Sequence, residues 1–307
     1  MSATPQIIYV PGLLPKPPED VHRDALFRCL AAGIRRLDPG IADEIGATPN
    51  GFQITSWTYD FYGEHRDFAL DKSSVDALLE QGELLTVDKR EALSFKKRLG
   101  RWIFRVADHL PFLIPHVATE RMRLHLRDLR RYTRNHNEVA EHTRSMLKGL
   151  LREAQAAGRP LLLIGHSMGS VIAYESLWQM SRANREPMHV DLFMTMGSPL
   201  GQRYIQSRLK GSDAIGSVRY PNNIGRWVNL SAAGDMTSLD PTLGSDFKAM
   251  LRDGLVDSID DERIYNWFRL DGVLNPHAEY GYLANPVTAR VVTDWWSSVS
   301  PGRDSAE

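Results

Sequence analysis

Residues Leu161 to Gly169, which read LLLIGHSMG, decide how this chain is expected to fold. The apolar run has no polar alternation, which is typical of a strand buried on both faces in a parallel sheet. Residues 165–169 fit the pattern G-x-S-x-G, and a segment with helical spacing follows. In such a strand–turn–helix setting the pattern predicts a nucleophile elbow, a sharp turn that lifts the Ser167 hydroxyl above the sheet.

The neighbours of Ser167 fit this prediction. Gly165 and Gly169 lie two residues before and after it, where we expect other backbone to pass within contact distance. The next helix directs its N-terminus at the serine, so the N–H of Met168 could donate to a developing oxyanion. An ordinary glycine-rich turn would also match the pentapeptide, but the context favours the elbow. With GHSMG in this setting, the chain resembles the lipase and esterase branches of the α/β-hydrolase family.

The composition is that of an ordinary globular protein. The 307 residues are 42% hydrophobic and 24% charged, and the net charge of −1 gives no general attraction to nucleic acid or anionic membrane. Cys29, the single cysteine, lies on the apolar face of a predicted helix and is expected in the core. Residues 1–10 lack the features of a signal peptide, and no apolar run reaches the length of about 20 residues that spans a membrane. We therefore expect a cytoplasmic protein.

Strand and helix patterns alternate along the chain except in one long segment. Besides the run before the elbow, strands are expected at Gln6–Val10, Gly51–Thr58, Val190–Met196, Arg226–Ser231 and Ile264–Leu270. This order predicts an α/β fold with a mostly parallel sheet flanked by helices, the fold that the resemblance also implies.

The segment between Gly63 and Asn135 has helical patterns but no convincing strand, and it is far longer than a crossover needs. In the family that the chain resembles, such an insertion forms a cap or lid over the site. We expect one discontinuous α/β-hydrolase core of residues 1–62 and 136–300, a helical cap of residues 63–135, and a tail of residues 301–307.

The second half of the insertion is basic. Residues 95–135 contain eleven Lys and Arg but three acidic residues, interleaved with apolar residues that include Trp102 and Phe112. Three interpretations stay open: a solvated helical face, a surface that contacts anionic lipid, or a lid that binds an acidic substrate. We do not expect nucleic acid as a partner, because no binding module accompanies the charge. Leu14, Trp102 and Phe112 are expected to contact substrate.

A nucleophilic serine needs a base, and the base needs an acid partner that fixes its tautomer. In this fold the chain order is Ser, then Asp or Glu, then His, each on a loop after a strand. His277 follows the last predicted strand, and with Tyr280 it resembles the H-x-x-Y motif of lipase-like members. His189 begins a strand at the wrong edge of the sheet, and His166 is expected to point away from the hydroxyl.

Asp235 is the expected acid, because it follows a predicted strand closely. Asp240 is the alternative, while Asp271 lies too near His277 in sequence for the usual arrangement. Ser198, in a G-S-P-x-G turn, has no following helix and is expected to serve the turn.

The turn after the first strand is where this fold builds the other half of its oxyanion hole. The chain has Pro11-Gly12 where His-Gly is usual, and the resemblance implies the N–H of Leu13 as second donor. A turn without that role is the alternative.

These residues predict a serine hydrolase that cleaves carboxylic esters through a covalent acyl-enzyme, without metal or organic cofactor. A lipid or small-molecule acyl ester would be its substrate. A thioesterase, amidase or acyltransferase would use the same triad. A non-catalytic protein that binds a lipid or a partner is the remaining alternative.

Overall fold

The computed structural model describes residues 3–94, 120–238 and 240–300, and for residues 120–126 it describes the backbone alone. Within these residues, no helix is both long and apolar enough to cross a bilayer. The predicted cap residues Trp102 and Phe112 lie outside the described ranges, as does the predicted tail. The division into core and cap stays a prediction.

The described part of the chain is built on one six-stranded sheet. Its strands are β1 (Gln6–Val10), β2 (Phe52–Ile54), β3 (Leu161–His166), β4 (Val190–Met196), β5 (Ile224–Ala232) and β6 (Ser258–Ile264). They lie in the order β2-β1-β3-β4-β5-β6, and each neighbouring pair is parallel. A separate antiparallel pair joins β7 (Arg269–Leu270) and β8 (Val273–Leu274). The predicted parallel α/β architecture is confirmed.

The strand order creates a crevice between β1 and β3. From β1 the chain crosses to β2 on one side, and it then returns to β3 on the other side of β1. Loops that leave the carboxyl ends of two such strands diverge, and open α/β sheets bind ligands at this point. The Pro11-Gly12 turn and the Ser167 elbow leave these two strands, so both predicted halves of the site meet here.

Helices cover both faces of the sheet in the described residues. They are α1 (Glu19–Arg35), α2 (Pro39–Ala47), α3 (Thr58–Tyr62), α4 (Ala69–Gln81), α5 (Thr86–Ala92), α6 (Glu120–Thr133), α7 (Val139–Ala156), α8 (Met168–Trp178), α9 (Arg203–Gln206), α10 (Leu243–Asp246), α11 (Lys248–Arg252), α12 (Glu279–Leu283) and α13 (Pro286–Val299). Short 3₁₀ turns span His136–Glu138 and Gly216–Arg219, and a π turn spans Gln179–Ala183.

Alternate residues of the central strands divide the core into two layers. Ile7 and Tyr9 of β1 pack with α1, α12 and α13, and Cys29 is fully buried in this layer. Ile8 and Val10 pack on the opposite face with α7 and α8. Every residue of β1 and β3 is buried, as their mostly apolar sequences predict.

Local signals fix where several helices begin. Asp38 caps α2 by accepting from the N–H of Ile41 at 3.0 Å, and Asn285 caps α13 by accepting from Val287 at 3.0 Å. Both caps precede a proline at the first helical position, where the missing N–H costs no helical hydrogen bond.

The structure corrects the prediction of the last sheet strand at Ile264–Leu270. The sixth strand is β6, which shares only Ile264 with the predicted range. It is an edge strand in which residues 260–263 are all charged, so it lacks the apolar pattern used for the prediction. Residues 266–268 are instead a buried connection, because the Asn266 side chain bonds the backbone of Pro276, Ala278 and Phe268.

The second strand is shorter than the predicted Gly51–Thr58. It ends at Ile54, and Thr58 already begins α3. The turn from the strand into α3 places Trp57 in the core. Its ring is fully buried, and its Nε1–H donates to the carbonyl of Pro11 at 3.0 Å.

Candidate active site

The turn at Ser167 has the strained geometry predicted for a nucleophile elbow. Ser167 has φ +52° and ψ −124°, a conformation that non-glycine residues rarely adopt. Its N–H donates to the carbonyl of Met196 at 2.9 Å, and its own carbonyl accepts from the N–H of Ser170 at 3.0 Å. The elbow is therefore fixed both to the neighbouring strand β4 and to helix α8.

The glycines beside Ser167 are required by close backbone contacts. A Cβ at Gly165 would lie 2.6 Å from the Cα of Ser170, and one at Gly169 would overlap the carbonyl oxygen of Val10. Neither neighbour is a flexible side chain, so neither could give way. The spacing that identified the elbow in the sequence thus has a direct steric cause.

The structure brings Ser167, His277 and Asp235 together in a hydrogen-bonded row. The Ser167 hydroxyl donates to Nε2 of His277 at 3.0 Å, and Nδ1–H of His277 donates to Oδ2 of Asp235 at 2.9 Å. Ser167 and Asp235 are buried, while the His277 side chain is 30% exposed. This is the geometry in which an imidazole can take a proton from a serine and return it to a leaving group.

Asp235 is held as a carboxylate although it is almost fully buried. Burial by itself would raise its pKa, but the charge and hydrogen bond of His277 and bonds from Thr237 N–H and Tyr282 lower the pKa below its usual value. The Thr237 N–H donates to Oδ1 at 2.8 Å, and the Tyr282 hydroxyl donates to Oδ2 at 2.8 Å. The negative charge that would stabilise a protonated His277 is therefore kept in place.

Tyr282 is a site residue that the sequence reasoning missed. Its hydroxyl also accepts from the N–H of Ala232, the last residue of β5, at 2.8 Å. It thereby joins Asp235 to the strand end from which the acid loop departs. Tyr280, the tyrosine of the H-x-x-Y motif, packs instead against Phe268 with ring centroids 5.7 Å apart. The H-x-x-Y spacing pointed to Tyr280, and no signal in the sequence identified Tyr282.

The residues set aside in the sequence have contacts or positions of their own. His189 is exposed, and the Asp240 carboxylate accepts from the N–H and hydroxyl of Thr242. Ser198 is bonded to the Ser170 hydroxyl and accepts from the N–H of Leu200, as expected for a turn residue. Asp271 is in an exposed turn with φ +51°.

His166 is buried behind the site. Its Nε2–H donates to the carbonyl of His277 at 2.9 Å, and its ring lies 4.8 Å from the ring of His277. Burial and the neighbouring His277 lower the pKa of His166 to about 3, so this imidazole stays neutral. Its contacts are with the backbone and ring of His277 and not with the Ser167 hydroxyl.

The two predicted oxyanion donors lie on opposite sides of the crevice. Met168 is the first residue of α8, so its N–H has no acceptor within that helix. Leu13 is half buried in the loop after β1, and its role stays a prediction. Leu14 is 43% exposed with φ +78°, and its N–H donates to the Tyr62 hydroxyl at 3.0 Å.

Gly197 is a second residue that sequence reasoning missed. It follows β4 with φ +55°, and a Cβ there would lie 2.8 Å from Oδ2 of Asp235 and 3.0 Å from Nδ1 of His277. We expect Gly197→Ala to lower kcat by about 10- to 100-fold, because it displaces the acid and the imidazole from each other. Steady-state kinetics on the folded variant would measure this.

Gly254→Ala is the matched control, since Gly254 has φ +62° and nothing within 4 Å of its Cβ position. It should lose about 1–2 kcal/mol of stability from the same backbone strain and keep kcat. Equal losses of kcat in the two variants would contradict the steric explanation.

Comparison with known proteins finds a family model that matches part of the chain. Residues 116–251 match the family model described as Thioesterase domain, whose members are serine esterases of the α/β-hydrolase fold. The match includes Ser167 and Asp235 but ends before His277. Neither the search of curated proteins nor that of solved structures returned a match. The parallel sheet has the α/β-hydrolase architecture, and the family match supports a serine hydrolase of that type.

Proposed function

We propose that the protein hydrolyses acyl esters through a Ser167–His277–Asp235 triad, with thioesters as the preferred class. The observation that carries the proposal is the pair of hydrogen bonds on His277, 3.0 Å to Ser167 and 2.9 Å to Asp235. The match to the Thioesterase domain favours the sulfur ester over the oxygen ester.

The proposed chemistry begins with transfer of the Ser167 proton to Nε2 of His277 as the serine oxygen attacks the acyl carbonyl. The N–H groups of Met168 and Leu13 would stabilise the oxyanion, each by about 3 kcal/mol of the barrier. The protonated imidazole would then return its proton to the departing thiol or alcohol, leaving an acyl-enzyme. A water molecule, deprotonated by the same imidazole, would release the acid and restore Ser167.

Two other functions use features of the same chain. A carboxylic esterase would need no change in the triad, because the chemistry differs only in the leaving group. A non-catalytic binding protein would have no use for an aligned imidazole beside a strained serine, so the geometry weighs against it. Contact of the basic cap with anionic lipid stays a prediction, since much of that segment lies outside the described residues.

A matched pair of substrates tests the proposal. We expect kcat/KM for an acyl thioester of N-acetylcysteamine to exceed that of the oxygen ester with the same acyl chain by about tenfold or more, because a thiolate is the better leaving group. Thiol release, followed spectroscopically, would give kcat/KM for the thioester, and acid release would give kcat/KM for the oxygen ester. Both would be measured over a series of acyl chain lengths.

The control for this comparison is labelling of the wild-type serine with a fluorophosphonate. Labelling with faster cleavage of the oxygen ester would favour the carboxylic esterase. Absence of both labelling and turnover would leave the binding protein as the better interpretation.

A further inference from the structure

A second buried carboxylate lies directly behind the proposed triad. Glu279, two residues after His277, has a side chain only 5% exposed. Its oxygens accept from the Lys16 ammonium at 2.7 Å, His22 Nε2–H at 3.0 Å and the Tyr9 hydroxyl at 3.0 Å. Burial opposes its ionisation, but Lys16 and His22 lower the pKa of Glu279 well below its usual value. The carboxylate is therefore charged and fully enclosed by partners.

Lys16 belongs to the loop that carries the predicted oxyanion donor. This loop, residues 11–18, runs from β1 to α1, and it includes Leu13 and the left-handed Leu14. A leucine with positive φ is held only where surrounding contacts fix the backbone. The N–H of Leu14 donates to the Tyr62 hydroxyl, and the Lys16 ammonium donates to the buried Glu279.

The same carboxylate also lies close to the groups that hold His277. Oε2 of Glu279 is 3.8 Å from Nδ1 of His166, and His166 donates to the backbone carbonyl of His277. Glu279 itself begins α12, the helix that directly follows the His277 turn. The Lys16–Glu279 pair thus joins the oxyanion loop to the segment that carries the base.

Stability alone does not account for such a pair. The desolvation free energy of two buried charges is about as large as their electrostatic attraction. Replacement of a buried ion pair by apolar residues of similar volume therefore often leaves the stability unchanged. A buried ion pair does, however, fix two segments at one spacing, because any displacement leaves a charge without its partner. That property is useful where two loops must hold reacting groups at a defined separation.

We propose that Lys16 and Glu279 are positioning residues whose ion pair sets the distance between the loop of Leu13 and the turn of His277. Neither side chain is assigned a contact with substrate. This role rests on the proposed acyl-transfer function. It adds to that function a purpose for the charges of Lys16 and Glu279, which take no part in the reaction itself.

The test compares three lysine variants of the full chain. Lys16→Met keeps the length of the side chain and removes its charge, and it should lower kcat by about 10- to 100-fold with little change in KM. Lys16→Arg restores a cation and should recover most of that loss. Lys72→Met is the matched control, because Lys72 forms an exposed pair with Asp76, and it should keep wild-type kinetics.

A readout specific to the oxyanion separates positioning from a general loss of stability. The inhibition constant of an acyl trifluoromethyl ketone, which forms an oxyanion with serine, should rise in Lys16→Met in parallel with the fall in kcat. A purely structural role would lower the thermal midpoint and leave both values unchanged in the folded protein.

The possible failures are distinguishable. A folded Lys16→Met with wild-type kcat and inhibition overturns the positioning role, whereas a wild type without turnover overturns the proposed function instead. Should Lys16→Met not fold, Glu279→Gln decides, because it keeps the shape of the side chain and removes its charge. Wild-type kcat in folded Glu279→Gln would overturn the proposal, and a fall like that expected for Lys16→Met would support it.

Discussion

Replacement of Ser167 by alanine is expected to lower kcat by about 10⁶-fold and to abolish covalent labelling by a fluorophosphonate. The proposed reaction forms its covalent bond at this oxygen, and no other hydroxyl in the described residues is bonded to His277 as closely. The nearest other one, Thr237 Oγ1, lies 3.4 Å from Nε2 of His277. The change removes one buried atom group and keeps the backbone of the elbow, so the variant should fold.

Labelling followed by intact mass spectrometry measures this result directly. Ser198→Ala is the informative control, because Ser198 lies in the G-S-P-x-G turn, where glycines also flank a serine. Its hydroxyl is bonded to Ser170 and to Leu200 N–H, so the variant should lose some stability and keep its label. Loss of the label in Ser198→Ala but not in Ser167→Ala would show that the nucleophile is misassigned.

Replacement of His277 by alanine should reduce kcat by a comparable factor, about 10⁶-fold, because serine and base act as one unit. His166 is adjacent but cannot substitute for it. Its Nε2–H is already bonded to the carbonyl of residue 277, and burial lowers its pKa, so it is a poor base near neutral pH. Turnover by the variant should therefore approach that of Ser167→Ala.

The His277 side chain is partly exposed, and Asp235 would keep its bonds from Tyr282 and Thr237 in the variant. Circular dichroism should accordingly give a wild-type spectrum. His189→Ala, an exposed histidine at the start of β4, is the control and should keep full activity. Near-wild-type turnover in folded His277→Ala would remove the imidazole from the mechanism.

The parts of the fold that the sequence predicts best are those with a local physical cause. The bounds of β1 and β4 are the same in the prediction and in the structure. Strands that are buried on both faces of a parallel sheet require mostly apolar sequences, and such sequences can be recognised without knowledge of distant contacts. The elbow is also predictable from a short stretch of sequence. Its two glycines are required because a side chain would collide with residues a few positions away or with the adjacent strand.

The rest depends on contacts between residues distant in sequence. Tyr282 reaches Asp235 across 47 residues, and Lys16 reaches Glu279 across 263. No spacing rule identifies such pairs, because a tyrosine or lysine near a motif is common and its direction depends on packing. Gly197 is similar. A side chain at this position would collide with Asp235 and His277, and these residues lie beside it only in the folded chain.

The charged residues of β6, because of which the strand was not predicted from the sequence, affect association between copies of the protein. Asp260 and Arg263 are exposed along this outer strand, and Glu262 pairs with Arg290. Unpaired strand edges are templates for intermolecular sheet growth, and charges on an edge oppose it. A neighbouring molecule that added a strand to β6 would have to dehydrate these groups, which disfavours aggregation through this side of the sheet at high protein concentration.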